Sequence, residues 1–238
     1  MFKAILLDLD NTLLQNDMET FVPAYLSALA GFVAGHFPPE TFVRHLLRAT
    51  DAVVAHTDTA LTNMQVFDAV FFPALGRSRE EMEPLFDEFY ATRFPQLRGL
   101  TRPIPTARPL VEWAFAQGWQ VAIATNPLFP RTAVEQRLEW AGVAVAEFPY
   151  PLVTTYEEMH ATKPHRAYYA EIACRLGRQP EECLMVGDEW EMDIAPAMAV
   201  GMAAYWVAAS DARPPGLEDR LVGQGDLAGL LRWLTTAR

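Results

Sequence analysis

Residues 4–12 read Ala-Ile-Leu-Leu-Asp-Leu-Asp-Asn-Thr, a short apolar run that ends in two aspartates. Such a run, closed by turn-forming residues, is the pattern of a strand covered on both faces, as strands inside parallel sheets are. The pattern returns in WQVAIAT at 119–125, CLMVGD at 183–188 and AAYWVAA at 203–209. Each of these later runs follows a helical segment, and helices are expected over roughly 107–117, 131–141, 165–176 and 192–200. Strands that alternate with helices imply an α/β fold with a doubly wound, Rossmann-like parallel sheet, because parallel neighbours need a crossover and a helix supplies it.

One stretch breaks the alternation. From 17 to 97 no strand pattern occurs, and Phe21, Tyr25, Leu29 and Phe32 begin a series of helical spacings that continues through Phe42, Leu46, Ala49 and Val53 and then Val66, Val70 and Phe71. Pro38-Pro39, Asp58 and Gly76-Arg77-Ser78 separate the helices. The fourth starts at Ser78 as N-cap with Glu81 three residues on, a capping-box pattern. The reading is a four-helix insertion, with a catalytic core over 1–16 and 98–238 and a helical cap domain over 17–97. The Gly- and Pro-containing segment 98–109 forms a stiff return linker. No internal repeat or low-complexity tract is visible.

The chain has 238 residues and a formal net charge of −11, from 19 basic and 30 acidic side chains. That balance argues against a nucleic-acid partner, whose phosphates an acidic surface repels. Small anions are a different matter, since a metal ion and a lysine reverse the potential locally. The apolar start is broken by acids too early for a secretory signal or membrane span, so the expectation is a cytoplasmic protein with no membrane partner. Cys174 and Cys183 give no disulfide framework and are expected to be reduced.

The chemistry-bearing residues gather at predicted strand ends, where open parallel sheets collect their ligands. Asp8 and Asp10 close the first strand, and their i, i+2 spacing points both carboxylates one way. Taken singly this is also the composition of an ordinary strand-ending turn. Thr125 and Asn126 end the second strand with a hydroxyl and free amides suited to a phosphoryl group, or they merely turn the chain before Pro127. Lys163 lies in the loop before a helix. Gly187-Asp188 ends another strand with Asp193 five residues later, carboxylates of the sort a hard magnesium ion requires, although Asp193 is also placed to cap its helix.

Together these features occur in the order of one assembled site, and here the sequence resembles the haloacid dehalogenase superfamily. Asp8-Leu9-Asp10-Asn11-Thr12 looks like its first motif, Thr125 its second, Lys163 its third, and Gly187-Asp188 with Asp193 its fourth. Asp193-Ile194, Ala197 and Gly201-Met202 are similar to the phosphatase branch, and the insertion matches a cap of the first type. The resemblance implies Asp8 as a nucleophile that is transiently phosphorylated and Asp10 as general acid and then base. It implies Mg2+ on Asp8, the main-chain carbonyl of Asp10, and Asp188, with Asp193 behind the ligands. Thr125, Asn126 and Lys163 would hold the phosphate. An acid at position 10 speaks against the dehalogenase branch.

The implied activity is magnesium-dependent hydrolysis of a small-molecule phosphate monoester. A phosphomutase using the same residues, or a phospho-ligand-binding protein without turnover, remains open from sequence. Arg44, His45, Arg48, His56, Asn63 and Gln65 are the polar residues of the insertion within conceivable reach of substrate. Phe21, Phe67, Phe71, Phe72 and Phe86 read as the insertion's own core, and Trp113, Trp119, Trp140 and Trp206 as packing in the sheet domain. Trp190, inside the fourth motif, is expected to face the insertion.

Overall fold

The computed structural model describes residues 2–209, 211–212 and 220–236. Six strands form one all-parallel sheet in the order β5-β4-β1-β6-β7-β8: β5 is Leu152–Val153, β4 Gln120–Ile123, β1 Ala4–Leu7, β6 Cys183–Gly187, β7 Ala203–Val207 and β8 Leu221–Gly225. The first strand lies near the centre, with Ala4 in register with Gln120 on one side and Cys183 on the other. All four of its side chains are fully buried. Alternation divides them, Ile5 and Leu7 into one hydrophobic layer and Ala4 and Leu6 into the other. The first layer packs under α5 (Ala107–Ala116), α6 (Arg131–Trp140) and α9 (Leu227–Thr236), the second under α7 (Arg166–Leu176). Burial on both faces is why β1 reads as a continuous apolar run instead of an alternating one.

Between β1 and α5 the chain is helical apart from a two-stranded ribbon. That ribbon pairs β2 (Leu14–Gln15) antiparallel with β3 (Arg102–Pro103), where the chain leaves the sheet layer and where it returns. The helices are α1 (Met18–Phe32), α2 (Pro39–Ala55), α3 (Asn63–Leu75) and α4 (Arg79–Thr92), followed by 3-10 turns over Phe94–Leu100. Each start has a local cause. Asp17 accepts from the Glu19 amide at α1, Pro38-Pro39 opens α2, and Thr62 with Gln65 and Ser78 with Glu81 form reciprocal capping boxes at α3 and α4. Phe21, Phe42, Phe71, Phe89 and Phe94 are almost fully buried and meet edge-on or tilted, such as Phe42 on Phe71 at 5.5 Å and Phe21 on Phe94 at 6.1 Å. Burying each such ring contributes about 1.5–3 kcal/mol. The stretch Met18–Gly35 is by length and composition apolar enough to cross a membrane. In the fold its Phe21, Tyr25, Leu29 and Val33 are packed into this aromatic core.

Two expectations change in the sheet domain. The helix anticipated over 192–200 begins as a π-helical turn, Trp190–Ile194, and only then becomes α8 (Ala195–Ala199). That wider turn places Trp190 among Ile194, Ala204 and Trp206, with its ring 5.2 Å from Trp206, so it is buried beside β7 and does not face the insertion. Trp206 also does more than pack, since its indole N–H donates to the Asp188 carbonyl at 2.8 Å. Trp113 packs edge-on against Trp119, and Trp140 stacks on Phe94, as anticipated.

Candidate active site

The loops after β1, β4 and β6 and the loop before α7 converge at the carboxyl edge of the sheet around a cleft of about 220 Å³. Asp8, Asp10, Thr125, Asn126, Lys163, Asp188 and Asp193 all line it, so the fold brings every residue of the sequence-derived set to one place. Central registry does this. The amide of Asp8 donates to Val186 of β6 and the amide of Ala124 donates to Leu7, which locks three strand ends at one level.

Lys163 is the electrostatic centre. It is 2 % exposed, and its Nζ donates to Asp8 Oδ1 at 2.7 Å and to Asp193 Oδ1 at 2.6 Å. Burial alone would push this ammonium down, but the Asp193 and Asp8 carboxylates outweigh it and hold Lys163 well above the ordinary lysine value. Burial pushes the Asp8 carboxyl well up, with Lys163 opposing and Asp193, Asp188 and Asp10 adding to the rise. Burial, then the charges of Asp193 and Glu189, push Asp188 to about 7. Ligand oxygens of Asp8, Asp188 and Asp193 lie within 4.8 Å of one another. Three crowded carboxylates, two of them held away from their ionised form, are a donor set that a hard divalent cation suits. Asp193 has little left to give such an ion, because Oδ1 is held by Lys163 and Oδ2 accepts from the Glu189 amide at 3.1 Å.

That second bond is built by the π turn, which folds Asp193 back over the strand end. An ideal Cβ on Gly187 would sit 2.3 Å from Asp193 Oδ2, so glycine is required there by close approach and not by backbone angle. Asn126 is held by its Oδ1, which accepts from the Lys163 amide at 3.2 Å, and so links the second and third motifs. The Thr125 carbonyl accepts from the hydroxyls of Thr154 at 2.6 Å and Tyr168 at 2.8 Å, which fixes the loop that carries it. The Tyr169 hydroxyl ties down the Met192 carbonyl in the π turn.

Asp10 is held differently from the other acids. Its Oδ2 accepts from Arg137 Nη1 at 2.6 Å and its Oδ1 from Asn16 Nδ2 at 2.7 Å. Arg137 is completely buried on α6, 4.5 Å above the Phe129 ring, and its other terminal nitrogen has no hydrogen-bond partner among the described residues. Sequence reading missed Arg137 although a signal was present: it falls on the buried stripe Ala133, Val134, Leu138 and Ala141, where an unpaired charge would be costly. Asn11, at φ 56, turns the chain sharply after Asp10 and accepts from the Asn16 amide at 3.1 Å. Asn tolerates that left-handed conformation better than most residues do.

None of the polar insertion residues singled out from sequence lines the cleft. Arg44 and Arg48 lie on a shallow outer groove. Gln65 is spent on its capping box, and Asn63 is buried, donating to the carbonyls of Pro127 and Ala161 at 3.3 Å each. Asn63 therefore fastens the insertion to the loops beside Thr125 and Lys163. Solvated helix faces carry such residues routinely, and no periodicity distinguishes those that turn inward.

Sheet order, the four strand-end motifs and the bridging lysine define a hydrolase of the haloacid dehalogenase type. The family model of haloacid dehalogenase-like hydrolases matches residues 2–201, and the chain belongs to that family. The glyceraldehyde 3-phosphate phosphatase of Methanopyrus kandleri is 27% identical over 207 residues, 85% of this chain and 82% of that protein. Among solved structures, the 2-haloacid dehalogenase of Pseudomonas syringae pv. Tomato DC3000 superposes with a TM-score of 0.64 at 24% identity over 100% of both chains. A phosphatase of the same family from Thermococcus onnurineus superposes with a TM-score of 0.60 at 21% identity over 98% of both. These structural likenesses bear on the fold alone. With its phosphatase relatives, the chain is a phosphoric monoester hydrolase.

Proposed function

We propose that this enzyme hydrolyses a small-molecule phosphate monoester through a phosphorylated Asp8, with Mg2+ as its cofactor. The observation that carries the reading is the Lys163 ammonium bridging Asp8 and Asp193 at the floor of a cleft that also holds Asp10 and Asp188. Asp8 and Asp188 would hold the ion together with the main-chain carbonyl of Asp10, as the family resemblance implies. When bound, magnesium supplies positive charge that screens Asp8 from the phosphate and stabilises the transferring oxygens.

The protein's own residues account for the rest. Lys163 orients the Asp8 carboxylate for attack on phosphorus and, with Thr125 and Asn126, offers donors to the phosphoryl oxygens. The bond from phosphorus to the ester oxygen breaks as the bond to Asp8 forms, and Asp10 gives its proton to the departing alkoxide. Asp10 then takes a proton from water, which attacks phosphorus and releases Asp8. Asp193 fixes Lys163 from the far side. The helices over 18–92 act as a cap that excludes water during these steps. Both cysteines are free, in keeping with work in the reducing cytoplasm.

The test is phosphate release from phenyl phosphate and a panel of metabolite monophosphates, with magnesium, with chelator, and with Asp8→Asn. Turnover should require both the metal and Asp8. An Asp8→Asn enzyme that keeps wild-type turnover would refute the covalent route.

A further inference from the structure

The cleft that holds Asp8 and Lys163 does not end at the reacting groups. It adjoins a second cavity of about 320 Å³ between the helical insertion and the sheet domain, and the side chains of Met18, Leu128 and Phe129 line both. From this continuity we infer that the ester cleaved here carries an uncharged, apolar leaving group. It would be the monophosphate of a cyclic or branched apolar alcohol, in preference to a sugar, triose or amino-acid phosphate. The inference rests on the phosphatase reading above and adds the substrate class.

The cavity wall is mostly aliphatic and aromatic, with Leu29, Leu46 and Phe67 contributed by three helices of the insertion, and its polar members besides the tyrosines are Thr50, Arg79, Glu83, Asp87, Thr132 and Glu157. Its size suits a ring, since a dry protein cavity of roughly 150 Å³ lined by such residues accepts benzene. Charge selects further. Arg79 is the one basic side chain among the described residues of this lining. Its guanidinium is committed, with Nε and Nη2 donating to the two Asp68 oxygens at 2.6 Å each and Nη2 also to the Tyr156 hydroxyl at 2.9 Å. No free cation is left to meet a second phosphate or a carboxylate. Glu83 and Asp87, exposed at the rim, repel an anion. The hydroxyls of Tyr25 and Tyr90 share one hydrogen bond at 2.9 Å and the Thr50 hydroxyl donates to the Leu46 carbonyl, so a polyhydroxylated group entering here would shed its water for fewer open partners than it loses.

Benzyl phosphate and glycerol 1-phosphate test this directly. Both are esters of primary alcohols, so their leaving oxygens are chemically matched and the ratio of kcat/KM reports the cavity. The wild type should favour benzyl phosphate by about tenfold or more, the scale on which an apolar pocket discriminates. Leu46→Glu, which puts a charge in the wall of the second cavity at a residue that does not line the cleft holding Asp8 and Lys163, should reduce that ratio by about tenfold and leave glycerol 1-phosphate within about twofold. Equal or better turnover of glycerol 1-phosphate, or an unchanged ratio in a folded Leu46→Glu protein, overturns the inference. The wild-type ratio decides even where the variant does not fold. If neither ester is hydrolysed, the wider panel above decides the phosphatase reading, and calorimetric binding of the two esters to Asp8→Asn with magnesium decides the ligand class. Preference for benzyl phosphate upholds it and equal binding rejects it.

Discussion

Replacing Lys163 with Met isolates the electrostatics of the site from its catalysis. The lysine is 2 % exposed and contacts two acids that are themselves almost fully buried, Asp8 at 7 % and Asp193 at 1 %. Methionine fills much the same volume, so packing is nearly conserved and the loss is that of a buried cation. Removing one partner of a buried ion pair costs about 3–5 kcal/mol, because the remaining charge has neither water nor counterion. That figure applies at pH 8 in the presence of chelator.

The pH dependence has a definite sign. Asp8 has a folded value raised well above its unfolded one, so the folded state binds more protons and stability falls as pH rises through that window. Lys163 is the charge that opposes the rise, and without it the window extends further upward. The gap between wild type and Lys163→Met should therefore be widest at pH 8 and clearly smaller at pH 5, where Asp8 escapes the penalty by binding a proton. Urea denaturation at both pH values measures it, and magnesium should narrow the gap at pH 8. A difference below about 1 kcal/mol at pH 8, typical of an exposed pair, or one identical at both pH values, would refute the reasoning.

Two further outcomes follow from the same geometry. Arg137→Met should leave a folded protein with kcat reduced about 10- to 100-fold and KM nearly unchanged, because Asp10 loses its 2.6 Å partner and keeps only Asn16. Arg137→Lys should recover only part of this, and a folded Met variant with wild-type kcat would show that Arg137 does not position Asp10. Magnesium affinity should rise between pH 6 and 8, since burial and the neighbouring acids hold Asp188 near 7 and the ion must displace its proton. Calorimetric titration in buffers of different ionisation enthalpy measures that proton release, and an affinity independent of pH would show that Asp188 does not ligate the metal.

The sheet was legible where strands are buried on both faces. The runs at 4–9, 119–125, 183–188 and 203–209 became β1, β4, β6 and β7 because continuous burial leaves a continuous apolar signature. Missed were β5, only two residues long, and β8, whose Leu-Val-Gly-Gln-Gly carries two glycines and little apolar character. Neither leaves a pattern long enough to detect. The helix after β6 was read as regular, and the π turn that buries Trp190 and folds Asp193 over Gly187 depends on contacts that periodicity does not record.

For the site, sequence by itself determined which residue types end the strands and in what order, and so the family and the set Asp8, Asp10, Thr125, Lys163, Asp188 and Asp193. A strand-end motif is local chemistry, and local chemistry is written in consecutive residues. Tertiary structure alone decided that Lys163 bridges two acids 155 and 30 positions away and that Arg137, 127 positions from Asp10, holds it from a buried helix face. It also turned the polar residues of the insertion away from the cleft and set an apolar cavity beside it. Partnership between distant side chains depends on how layers stack, and that is fixed only once the sheet, its crossovers and the insertion have packed together.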